Sequence, residues 1–141
     1  MEAAELLRQV RHVFDPLTER LGLGDPLEVR HSNTNFSIAY AGAEIGLEID
    51  IDIGDFFIYA LLFKPSVAGL PVGYRDAQGT RQKLYVQEAL SELSFDCKAE
   101  SLTLQRLGGD YRNCDEMASR LAILVEKNWP AIAARGVNWF K

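Results

Sequence analysis

The sequence predicts an α+β fold over one domain spanning 1–141: an N-terminal helix, an antiparallel meander of about four or five strands, and helices packed on one face. Three observations carry that reading. Residues 2–14 repeat their apolar positions at spacings of three and four, as one face of a helix requires. From Leu27 to Phe63 the repeat drops to two, interrupted by turn-forming residues. Beyond Cys114 the helical spacing returns. With 48% hydrophobic and 25% charged residues, the chain has the balance of a packed protein.

Taken in order, Leu6, Leu7, Val10, Val13 and Phe14 form the apolar stripe of the first helix, which Pro16 should interrupt. A further turn through Leu17 and Leu21 ends at Gly22 or Gly24, before Asp25-Pro26 imposes extended backbone. Turn residues at 32–35, 41–42 and 54–55 then divide the meander into strands near 27–31, 35–41, 44–52 and 56–63. Residues 64–80 hold Pro65, Gly69, Pro71, Gly73 and Gly79 and read as an irregular crossing. A short helix is expected from about Gln82 to Leu93, on Leu84, Val86, Ala89, Leu90 and Leu93. Alternation over 101–107 predicts a fifth strand. A last helix from about Cys114 to Lys127 buries Met117, Leu121, Leu124 and Val125, and Pro130 should break it.

The 20 acidic and 15 basic residues give a formal charge of −5, which opposes a groove built to neutralise phosphates and points to a basic partner over a nucleic acid. The longest apolar run, 56–63, is too short to span a bilayer, and the start Met-Glu-Ala-Ala-Glu lacks the basic and apolar segments of a signal peptide. No membrane and a cytoplasmic location are the expectation. Two cysteines, Cys97 and Cys114, make neither a disulfide framework nor a zinc pair. Acidic neighbours of Cys114 oppose a lowered thiol pKa.

The clearest pattern lies in the third strand, where Glu44, Glu48, Asp50 and Asp52 share one face and Ile45, Leu47, Ile49, Ile51 and Ile53 the other. Like charges at two-residue intervals call for a compensating basic neighbour or partner. Residues 56–63 are apolar on both faces, so one apolar row, with Phe57 and Tyr59, must flank the carboxylates. Either this protein's helices or another molecule covers that row. Asp50 to Asp55 departs from a calcium loop, because Ile53 replaces a ligand and no bidentate Glu closes it. His12 and His31 lack companions at metal-ligand spacing, and no nucleophile elbow, P-loop or dinucleotide turn occurs. No catalytic residue, metal or cofactor is therefore assigned. Trp129, Trp139 and Phe140 near the C-terminus are expected to pack into the core.

In size, acidity, helix-then-meander order and lack of catalytic motifs, the chain resembles the small acidic immunity proteins of bacterial toxin systems. The resemblance implies a non-enzymatic protein that neutralises a cognate toxin by binding it. The acidic residues Glu44, Glu48, Asp50, Asp52 and Asp55 would then draw in a basic surface, with Phe57 and Tyr59 as anchors. Two other readings stay open. A dimeric secretion chaperone shares the length and acidity, although four consecutive strands before the middle helix depart from its order. A small-ligand binder or enzyme could use a pocket beneath the 64–80 loop, with Tyr74, Arg75 and Arg81 contacting an anion.

Overall fold

The computed structural model describes residues 2–67 and 69–141. Helix α1 (Ala3–Arg20) buries Leu6, Val10, Phe14 and Leu17 along one stripe. It runs straight through Pro16, where an interruption was expected. The lost hydrogen bond and ring clash cost about 3 kcal/mol. Burial of Leu17, worth about 1.5–3 kcal/mol, and partial burial of Leu21 against the core offset it.

Five strands follow: β1 (Pro26–Arg30), β2 (Asn35–Tyr40), β3 (Gly46–Asp52), β4 (Phe57–Phe63) and β5 (Lys83–Tyr85). They pair in sequence order, each antiparallel to the next, so the predicted meander forms with β3 at its centre. At the β3–β4 turn, Asp52 Oδ1 accepts the N–H groups of Gly54 and Asp55, and Phe56 takes a left-handed φ of 43°. That strain of about 1–3 kcal/mol is held by burial of the Phe56 ring.

Three expectations fail locally. The fifth strand is Lys83–Tyr85, not 101–107, and the helix expected from Gln82 begins only at Val86. There α2 (Val86–Glu92) starts with Glu88 Oε1 accepting the Tyr85 N–H, while Lys83 and Leu84 pair with β4. Residues 101–107 lie in α3 (Lys98–Leu107), because Leu104 and Leu107 also satisfy helical spacing and the Asp96 carboxylate caps the Lys98 N–H. The closing helix α4 (Cys114–Arg135) continues past Pro130 and buries Trp129 and Ile132.

The core lies on one side of the sheet. Ile38, Tyr40, Leu47, Ile49, Ile51, Ile58, Ala60, Leu62 and Leu84 meet the apolar stripes of α1, α2 and α4. Trp139 and Phe140 join them as expected, and Trp139 Nε1 donates to the Ile132 carbonyl at 2.8 Å. Among the described residues no helix is long and apolar enough to cross a membrane.

Candidate functional site: the outer face of the sheet

The period of two that sends Leu47, Ile49 and Ile51 to the helices sends Glu48, Asp50 and Asp52 to the opposite, outer face. Pairing arranges that face in rows across the strands. Asp50 lies between Ser37 and Tyr59, Glu48 between Ala39 and Leu61, and Asp52 between Asn35 and Phe57. Leu61, Phe63 and Ala39 are buried here too, yet stand apart from the main core. Phe63 achieves this by laying its ring against Gly46, whose missing side chain leaves the space.

The five acidic residues singled out in the sequence do not act as one row. Glu48 is almost fully buried and satisfied: Lys83 Nζ donates to Oε1 at 3.0 Å and Ser37 Oγ donates to Oε2 at 2.9 Å. His31 Nε2 stands 2.7 Å from Ser37 Oγ; because that hydroxyl gives its hydrogen to Glu48, His31 is the donor. Glu44 precedes β3 instead of belonging to it, and its carboxylate lies against Gly136. Asp52 is turned into the Gly54 turn, and Asp55 is exposed within it.

Asp50 is different. Its side chain is half-buried at the centre of the face, its Oδ1 is shielded from solvent, and that oxygen has no hydrogen-bond partner. Burial first, and the Glu48 charge second, raise the Asp50 pKa above the ordinary carboxylate value. Lys83 could have neutralised both acids, but its ammonium is committed to Glu48.

Beside Asp50 runs a line of aromatic rings. Phe57 and Tyr59 stack at 6.0 Å, Tyr59 meets Tyr85 edge-on at 5.7 Å, and Tyr85 meets Tyr74 at 5.9 Å. The Tyr74 and Tyr85 hydroxyls lie 2.9 Å apart. The line is anchored at one end by Phe57, whose ring fills the place a side chain on Gly108 would occupy. Burial, then neighbouring Tyr85 and the Asp52 and Asp50 charges, raise the Tyr59 pKa, so its hydroxyl stays protonated and can donate. Tyr59 and Phe57 thus sit where the sequence placed them. Tyr85 and Lys83 were missed in this role, because reading 82–93 as a helix hid the alternation that puts both on the outer face, while Tyr74 was expected only as an anion contact.

A half-buried carboxylate with one unpartnered oxygen beside aromatic rings is chemistry for holding a cation, through an ion pair and cation–π attraction. Ser37 is fully buried and sits between His31 and Glu48, so its hydroxyl is not accessible as a nucleophile. The Cys114 thiol, pushed up to about 11 by burial, is an ordinary core residue. Beneath the 64–80 loop, a cavity of about 360 Å³ is lined by Tyr74, Arg75 and Arg81. Arg81 is held by Glu92 at 3.0 Å, and Arg75 donates to the Gly79 carbonyl at 2.8 Å. Both guanidiniums are therefore engaged within the chain. Among the described residues, no three His, Cys, Asp or Glu side chains converge as a metal cage requires.

Comparison with known protein families, with curated proteins and with solved structures finds no match.

Proposed function

We propose that this protein binds a basic protein partner through the outer face of its sheet and, in the manner of an immunity protein, neutralises that partner by occupying a surface it needs. The observation that carries the reading is Asp50: a half-buried carboxylate with one oxygen left without a hydrogen-bond partner, central on the outer face, beside Tyr59, Phe57 and Tyr85. An Arg or Lys of the partner would pair with the free Asp50 oxygen and rest on the rings. The net charge of −5 steers such a partner inward and predicts weaker association at high salt.

The test is stoichiometric capture of a partner from the protein's own source, followed by titration calorimetry with Asp50→Asn and Tyr59→Ala. Each substitution at the centre of such an interface should cost about 2 kcal/mol or more. A one-to-one complex that both variants leave at full affinity would move the interface elsewhere. Failure to find any specific protein partner would remove the reading.

A further inference from the structure

The sheet ends on β1, which pairs with β2 and with no other strand. Two bonds fix which way its backbone groups point. His31 N–H donates to the Asn35 carbonyl at 2.9 Å, and Ile53 N–H donates to the Thr34 carbonyl at 2.7 Å. In an antiparallel ladder the direction alternates, so Asn35, Ser37 and Ala39 turn toward β1, where Val29 and Leu27 answer Ser37 and Ala39. Glu28 and Arg30 therefore turn N–H and C=O away from the sheet. This edge reaches solvent: Leu27 is 53% exposed, and Glu28 and Arg30 are exposed as well. Such an edge is a template for a further strand, which charged side chains commonly guard against.

Here the charges are of opposite sign. Glu28 and Arg30 stand opposite Ile38 and Phe36, so both belong to the helix side of the sheet. When two β1 strands run antiparallel with Val29 opposite its own copy, each Glu28 faces the other's Arg30, and like charges never meet. That register is self-complementary, as a two-fold interface requires. It also brings the outward-facing residues together, so each Glu28–Arg30 couple exchanges both backbone hydrogen bonds. Beside Glu28, a cavity of about 420 Å³ opens between β1 and α1, with Leu7, Arg11, His12 and Asp15 in its wall. One guanidinium serves two carboxylates there: Arg11 lies 3.1 Å from Asp15 and 3.2 Å from Glu28. Arg8, also in the wall, is turned to Glu5 at 3.9 Å. The cluster thus has a place for one more cation. Arg30 is held by exposed contacts, to the Ser32 carbonyl at 3.3 Å and to Asn33, which an ion pair can replace.

We propose that a second copy of this chain docks on β1, edge to edge and antiparallel, with Val29 on the two-fold axis, so that two five-stranded sheets run on as one. Each Arg30 then reaches the other copy's cavity between α1 and β1 and joins its Arg11, Asp15 and Glu28. On the outer face the two Val29 side chains meet, and the exposed Leu27 is covered beside His31 of the other copy. A second copy is the occupant because it brings Arg30 and Glu28 in the reversed order that this edge matches. The charge of −5 on each copy opposes the approach, but physiological salt screens it beyond about 8 Å, whereas the ladder bonds and ion pairs form in contact. Two five-residue edges make a small contact, so the dimer belongs to the weak, transient class of interfaces. It uses the edge of the sheet remote from Tyr59 and Tyr85 and does not rest on the basic-partner reading.

Sedimentation equilibrium of the full chain, from about 10 µM to about 1 mM in physiological salt, should show the mass rising from 15.8 kDa toward twice that value. Over the same range the Glu28 and Arg30 amides of ¹⁵N-labelled protein should slow in hydrogen exchange at least about tenfold, while Val29, bonded to β2 in either state, changes less. Glu28→Arg and Arg30→Glu should each be monomeric, because each sets like charges opposite one another. Mixing the two variants should restore a dimer of one copy of each, since every couple is again of opposite sign. Thermal melting verifies that both variants fold, and the exchange measurement on the parent depends on neither. A monomer at about 1 mM would overturn the proposal. So would a dimer that leaves the Glu28 and Arg30 amides unprotected, single variants that dimerise as well as the parent, or a mixture that stays monomeric. Protection of these amides that appears only when another protein is added would assign the edge to a foreign strand and overturn self-pairing.

Discussion

Replacing Lys83 by Met strands the Glu48 carboxylate inside the outer face. Met keeps the length and apolar stem of the side chain, so the change isolates the charge. At the observed 3.0 Å, two unit charges attract by about 5.5 kcal/mol at an effective dielectric of about 20. Desolvation of the two buried groups, 8% and 3% exposed, consumes most of this in the intact pair. Once Lys83 is gone the cost of the lone acid is no longer offset, and a loss of about 3–5 kcal/mol follows. For 141 residues that lowers the melting temperature by about 10–17 °C, taking an unfolding entropy near 2.1 cal/mol/K per residue. Urea denaturation followed by the fluorescence of buried Trp129 and Trp139 measures it. Adding Glu48→Leu to Lys83→Met should recover most of the loss, ending within about 1–2 kcal/mol of the parent. A Lys83→Met protein within about 1 kcal/mol of the parent, or a double variant less stable than the single, would refute the assignment of a buried, mutually dependent pair.

Asp50→Asn should stabilise the fold at neutral pH while weakening partner binding. A raised pKa means that the Asp50 contribution is fully present below the unfolded value and is lost as pH rises through the folded one; the variant's urea midpoint should lack that decline. Tyr40→Phe removes the hydroxyl that donates to Asp15 Oδ1 at 2.5 Å and should cost about 1.5–3 kcal/mol by the same denaturation assay. Gly108→Ala drives a methyl into the Phe57 ring and should cost about 1–3 kcal/mol, with near-ultraviolet dichroism reporting the displaced aromatic line. Trp139→Ala, or truncation before Val137, should lower stability by about 3–5 kcal/mol or more, because Trp139 is 1% exposed and Arg135 lies 4.3 Å over its ring. Full stability of the truncated chain would place the terminal aromatics outside the core.

The meander was legible because each strand carries its own period and its own turn. Ser32 to Asn35 and Gly54-Asp55 punctuate strands whose alternation leaves one register that buries Leu47, Ile49 and Ile51. Where local pattern and tertiary burial compete, the sequence misleads. Pro16 and Pro130 are helix breakers by intrinsic preference, yet both lie inside helices whose later turns bury Leu17 and Ile132. Residues 101–107 fit a period of two and a helix equally well over so short a span, and packing of Leu104 decides. For the site, Asp50, Phe57 and Tyr59 were readable from parity alone. That Glu48 is neutralised was not, since Lys83 arrives from 35 positions away across an irregular crossing that no periodicity describes.

The Glu48–Lys83 bond joins β3 to β5, strands that do not touch, by reaching over β4 between Leu61 and Phe63. Such a bond cannot form while the chain is assembling its hairpins one at a time; three strands must already be aligned before the charges can meet. During folding it therefore arrives late, and its loss should speed escape from the native state far more than it slows arrival there. The pair acts as a latch on the lifetime of the folded protein, because it holds β5, whose pairing with β4 spans only three residues.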